Sequence, residues 1–85
     1  MSDKMLTVND AVALRISELL AKQNITAYRL IQRSGLSTSR LSCIMRSKNK
    51  TVTLSTVLLL AQGFNMTLLE FFDSPYFDMN KLEVE

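Results

Sequence analysis

The sequence predicts an all-α fold of five short helices, and three observations lead there. Apolar residues recur at helical spacing, as in Val12, Ile16, Leu19 and Leu20. Between the periodic stretches stand residues that start or stop helices, among them Asn24, Thr26, Gly35, Ser37, Thr67 and the Ser74-Pro75 pair. The chain has 85 residues, 47% of them apolar, which is one domain's worth and too apolar for a disordered tail.

The first helix is expected over residues 9–23, capped by Asn9, with Asp10 near the positive end of the helix dipole. It should end at Gln23-Asn24, because asparagine tolerates the left-handed conformation. Thr26 then caps a second helix from Ala27 to Ser34, with Leu30 and Ile31 facing inward. Gly35 stops it, since a tight turn there needs positive φ. Ser37 caps a third helix, Thr38 to Arg46, with Leu41, Ile44 and Met45 on its buried side. The stretch Ser47-Lys48-Asn49-Lys50-Thr51 reads as a polar, basic loop. Thr53 or Ser55 opens a fourth helix reaching about Phe64; being apolar nearly all round, it should be the central, most buried one. Asn65 ends it, and Thr67 caps a fifth helix, Leu68 to Asp73, with Glu70 in the capping-box position. Ser74-Pro75 stops that helix. Residues 1–75 are therefore expected to form the domain. Residues 76–85 are expected to form an acidic tail that the fold does not need, with Tyr76, Phe77, Met79, Leu82 and Val84 as apolar anchors.

Composition narrows the function. There is no histidine and one cysteine, so a zinc site would need carboxylates alone and the commonest general base is missing. Gly35 and Gly63 are the only glycines, too few for a phosphate-cradling loop. No enzyme, metal or cofactor is expected. No apolar run approaches the roughly 18 residues of a membrane span. The start, Met1-Ser2-Asp3-Lys4, has no cationic stretch leading into an apolar one, and a single cysteine allows no internal disulfide. Together these points favour the cytoplasm.

Charge is divided along the chain. Residues 1–53 carry nine Lys and Arg against three Asp and Glu, a net of +6. Residues 54–85 carry Lys81 against five acidic residues, a net of −4, and the whole is +2. A basic half beside an acidic half suggests one face for a polyanion and another that avoids it.

The informative segment is 27–46. Counting Ala27 as position 1, apolar residues fall at positions 4, 10, 15 and 18 (Leu30, Leu36, Leu41, Ile44), with Gly35 at 9. Two short helices meeting at that glycine match a helix-turn-helix: Leu30 and Ile31 face the second helix, while Leu41 and Ile44 pack back on the domain. The start of the second helix is left free to enter a groove. Ile16 and Leu19, the Ile25-Thr26 pair, Gly35-Leu36-Ser37 and the run from Leu60-Ala61 through Phe64-Asn65-Met66-Thr67-Leu68 extend the pattern over about residues 8–73. On these residues the chain resembles the Cro/phage-repressor (XRE) type of helix-turn-helix protein. The resemblance implies a compact, lambda-repressor-like five-helix domain that binds double-stranded DNA. Four places depart from the family's usual pattern. Ile31 stands where alanine is usual and should widen the helix spacing slightly. Ala27 stands where glutamine often helps hold a phosphate, leaving a backbone N–H. Ser47 replaces a glycine, and Leu20 with Met45 replaces an Arg–Glu clasp by an apolar contact.

By matching position, Thr38, Ser39 and Cys43 should face base edges, where hydroxyls meet several bases and the Thr methyl can touch thymine. Short side chains leave room for specificity through water or DNA shape. Arg40 either reads guanine or holds a phosphate. Arg46, Lys48 and Lys50 are expected on phosphates, while Thr26 caps its helix and stands beside the backbone. Cys43 is either a small residue that fits against DNA or, between Arg40 and Arg46, an oxidisable thiol. Phe64, Met66, Leu69, Phe71 and Phe72 are mostly core, with some of them a dimer patch. The function expected is a sequence-specific transcriptional regulator, a repressor acting as a homodimer. The alternative is a protein-binding module, such as an antitoxin, that engages a partner protein through the C-terminal tail.

Overall fold

The computed structural model describes residues 6–46, 52–78 and 82–83. Five α-helices account for most of them: α1 (Val8–Gln23), α2 (Ala27–Ser34), α3 (Thr38–Met45), α4 (Leu54–Gly63) and α5 (Leu68–Phe72). A 3-10 turn at Pro75–Phe77 follows. Two-residue strands, β1 (Leu6–Thr7) and β2 (Leu82–Glu83), pair in parallel, Leu6 opposite Leu82 and Thr7 opposite Glu83.

Hydroxyl side chains start every helix. Thr7, Thr26, Ser37, Thr53 and Thr67 each have extended backbone and accept from the N–H three residues on, satisfying one of the donors a helix start leaves without a partner. At Thr67 the box is complete: Glu70 Oε1 accepts from the Thr67 N–H at 2.7 Å. Two helices end on a left-handed residue, Asn24 at φ 56° and Gly35 at φ 80°, and Asn65, just past the end of α4, has φ 58°. Asparagine and glycine carry this conformation at least cost.

The start of α1 differs from the sequence expectation. Thr7 is the cap, its hydroxyl accepting from the Asp10 N–H at 3.1 Å, and Asn9 is buried inside the first turn. Both residues are good caps, and the choice falls on the one whose backbone is already extended by pairing with β2. α3 ends one residue earlier than expected, with Arg46 as its C-cap, and α5 ends at Phe72 with Asp73 as its cap.

The core is one cluster. Val12, Ile16 and Leu19 of α1 meet Leu30, Leu36, Leu41 and Ile44 of the helix-turn-helix, Val57, Leu60, Ala61 and Phe64 at α4, and Phe71 of α5. Leu20 and Met45 are each half-buried against it. α4 corrects a second expectation. It is not buried all round: Leu54 is 64% and Leu58 45% exposed, four residues apart on one face. Its buried side is Thr56, Val57, Leu60, Ala61 and Gly63. Apolar composition signals what a helix can bury, and four short neighbours do not cover every side of α4.

At Gly63, α4 passes close to α2. A Cβ there would lie 2.8 Å from Leu30 Cδ1, 3.0 Å from Ser34 Cβ and 3.3 Å from the Ser34 nitrogen. The leucine tip can turn aside, but the α2 backbone cannot. Gly63→Ala should therefore lower stability by about 1 kcal/mol net, overpacking outweighing the better helix propensity of alanine. Urea unfolding checks this; a midpoint at or above that of the parent would show that the two helices separate without cost.

The chain beyond α5 is in contact with the rest. The Phe72 and Phe77 rings lie 4.9 Å apart at 87°, and Phe71 is 5.7 Å from Phe72 and 6.1 Å from Phe77. The boundary expected at residue 75 thus falls between aromatic rings that touch.

Candidate nucleic-acid interface

The turn between α2 and α3 is fixed by local bonds. The Gly35 N–H donates to the Ile31 carbonyl at 3.0 Å, and the Leu36 N–H donates to the buried Ser34 hydroxyl at 3.2 Å. Leu36, buried, plugs the corner. The Ser37 hydroxyl accepts from the Arg40 N–H at 3.1 Å and opens α3. With Leu41 and Ile44 held in the core and Met45 half-buried against it, the first turn of α3 is left exposed.

Thr38, Ser39 and Arg40 are all exposed in the first turn of α3. Cys43 is half-buried and lies one turn beyond Ser39, so the two share a face. Arg46 is exposed at the C-cap. Thr26 and Ala27 are exposed at the start of α2, the Thr26 hydroxyl accepting from the Arg29 N–H at 3.1 Å. The structure thus leaves six of the expected residues exposed along the helix-turn-helix, with Cys43 half-buried beside them. Lys48 and Lys50, with the loop 47–51, lie outside the described residues.

Electrostatically the motif is one-signed. Neither α2 nor α3 contains an acidic residue, and both carry arginine: Arg29 and Arg33 on α2, Arg40 on α3. Arg29 and Arg33 were not picked out from the sequence. With Tyr28 and Gln32 they are exposed along α2 and line a shallow depression with Asn24, Ile25 and Thr26. The available signal was their four-residue spacing on a helix without acidic neighbours.

Two further side chains went unnoticed. Thr56 accepts from Arg40 Nη2 at 2.8 Å. Arg15 is 6% exposed; its Nε donates to the Phe71 carbonyl at 2.7 Å, Nη2 to the Glu70 carbonyl at 2.8 Å and Nη1 to Glu18 Oε1 at 2.9 Å. The Arg40–Thr56 bond and the Arg15 bonds to α5 have no local signature, because each joins different helices; only the Arg15–Glu18 pair, three residues apart on α1, is local. Among the described residues no group of three His, Cys, Asp or Glu side chains could hold a metal, and no described helix is long and apolar enough to cross a membrane.

The arrangement has counterparts. The crystal structure of the prophage Lp1 protein 11 is similar to this chain, with a TM-score of 0.76 and 26% identity; the match covers 88% of this chain and 100% of that one. No curated protein matches. The family model for Cro/C1-type HTH DNA-binding domains matches residues 15–75, which span α2, the Gly35 turn and α3 together with most of α1 and all of α4 and α5. By that match the chain belongs to the Cro/C1-type helix-turn-helix DNA-binding domain family.

Proposed function

We propose that the protein is a sequence-specific transcriptional regulator that lays α3 in the major groove of double-stranded DNA and represses by occupying a promoter. The observation that carries this reading is the presentation of α3. A capped helix stands on a fixed glycine turn, its first turn exposed and without an acidic side chain on it or on α2. Thr38, Ser39 and Cys43 meet base edges in this docking, and Arg46, Lys48 and Lys50 meet phosphates, with Thr26 and Ala27 at the neighbouring backbone. Such a protein works in the cytoplasm, where it meets the chromosome.

A single domain this small makes few base contacts, and a homodimer doubles them. Phe64 and Phe71 are fully used in the core, but Leu69 on α5 is 84% exposed, which supports a second copy on that side. The antitoxin reading needs Tyr76, Phe77, Leu82 and Val84 at a partner protein. Tyr76 and Phe77 are half-buried, and Phe77 meets Phe72 edge-on.

Selection of bound duplexes from a random pool at about 0.15 M salt, where nonspecific binding is weak, tests the proposal. The expected product is an inverted repeat with half-sites about 10 bp apart. A folded protein that enriches no sequence would rule the reading out.

A further inference from the structure

Arg40 is exposed, yet its guanidinium is tethered. Nη2 donates to Thr56 Oγ1 at 2.8 Å, joining α3 to the first turn of α4. Thr56 is 3% exposed, and its hydroxyl lies 2.9 Å from Thr53 Oγ1. Thr53 Oγ1 in turn accepts from the Thr56 N–H at 3.2 Å as the cap of α4. The tether therefore ends on helix backbone and not on a mobile side chain. The row on which Arg40 stands matters as well. Its neighbour one turn on is Ile44, which is buried, whereas Ser39 leads to Cys43 on the outward side. Arg40 thus leaves α3 at the flank and is drawn further toward α4.

We propose that Thr56 is a positioning residue of the DNA interface: it holds the Arg40 guanidinium beside the start of α4, where Arg40 takes a backbone phosphate, and leaves base choice to Thr38, Ser39 and Cys43. The inference rests on the DNA-binding reading and decides between the two roles the sequence left open for Arg40. Holding the arginine before DNA arrives lowers the side-chain entropy lost on binding. It also accounts for a hydroxyl at a buried position where valine would have the same shape.

The test compares the parent, Arg40→Ala, Thr56→Val, Thr56→Ser and the Arg40→Ala/Thr56→Val pair. Each is taken through selection from the random duplex pool and then titrated with the parent's selected duplex across salt. Arg40→Ala should bind about tenfold more weakly, select the same motif, and lose roughly one unit of salt slope, as removal of one phosphate contact requires. Thr56→Val should lose about three- to tenfold, the worth of one hydrogen bond, and Thr56→Ser should recover most of it. In the Arg40→Ala background Thr56→Val should cost nothing further, a result that a general loss of stability would not give. Equal losses with and without Arg40, or no loss at all, would overturn the role of Thr56. An Arg40→Ala protein that loses preference at one base position with an unchanged salt slope would overturn the phosphate assignment. If the parent itself enriches no sequence, the DNA-binding reading fails first and this inference with it.

Discussion

Arg15→Met should cost about 2 kcal/mol of stability, and for a domain of this size roughly 10 °C in melting temperature. The reason is the position of the guanidinium. Glu70 and Phe71 lie in the last turn of α5; the Glu70 carbonyl also accepts from the Asp73 N–H of the cap at 3.2 Å, whereas the Phe71 carbonyl accepts from Arg15 Nε at 2.7 Å. Arg15 reaches both carbonyls from α1, 55 and 56 residues away in sequence, and its own side chain is nearly sealed from water. Methionine fills much of the same volume and donates nothing, so the Phe71 carbonyl is left facing an apolar side chain, at about 1–3 kcal/mol if water cannot reach it, while the Glu70 carbonyl keeps only its bond from the Asp73 N–H. The partner Glu18 matters less. Its side chain is 35% exposed, and an ion pair open to solvent is worth little, so Glu18→Gln should cost under about 0.5 kcal/mol. Arg15→Lys should fall between the two, keeping a charge but losing the fork that reaches two carbonyls at once. Thermal and urea unfolding followed by circular dichroism read all three. A loss below about 0.5 kcal/mol for Arg15→Met would mean that water satisfies the Phe71 carbonyl and that the arginine is dispensable to the fold.

Arg15 also marks the boundary of what the sequence discloses. The caps at Thr26, Ser37 and Thr67, and the left-handed stops at Asn24, Gly35 and Asn65, were legible because each is settled within three or four residues. A hydroxyl either reaches the N–H three positions on or it does not. The helix-turn-helix was legible for the same reason: two short helices and a glycine fix each other's geometry. The features that were not legible depend on residues elsewhere. Thr7 rather than Asn9 caps α1 because β1 pairs with β2 across nearly the whole chain. The exposure of Leu54 and Leu58 depends on which neighbours α4 has, and an apolar run does not say that. The Arg40–Thr56 bond spans 16 residues and crosses the loop between α3 and α4. Position along α3 could rank Arg40 as a DNA contact, but it could not separate a base from a phosphate. That distinction depends on what lies beside the side chain.

Ending the chain at Pro75 should destabilise it by about 3 kcal/mol, contrary to the sequence expectation that residues 76–85 are dispensable. The largest part of that loss is Phe77. Its ring meets Phe72 edge-on at 4.9 Å and leans on the fully buried Phe71, so removing it uncovers the end of α5. Phe77→Ala alone should cost about 2 kcal/mol, below the value for a fully buried ring because Phe77 is half-buried. The remainder is assigned to the pairing of Leu82–Glu83 with Leu6–Thr7, which helps extend the backbone at the cap of α1. If Phe77→Ala reproduces the whole loss, the strand pair contributes nothing; if the shortened chain unfolds at the parent's midpoint, the tail is a satellite of the domain. Charge makes the functional consequence separable from the structural one. Residues 76–85 carry Asp78, Glu83 and Glu85 against Lys81, a net of −2, so their removal takes the chain from +2 to +4. At a temperature where both forms are folded, the shorter chain should therefore bind DNA as tightly as the parent or more so, with a steeper salt dependence. Weaker binding by a folded short chain would mean that the tail supports the interface itself, through the dimer or through the placement of α1 against α3.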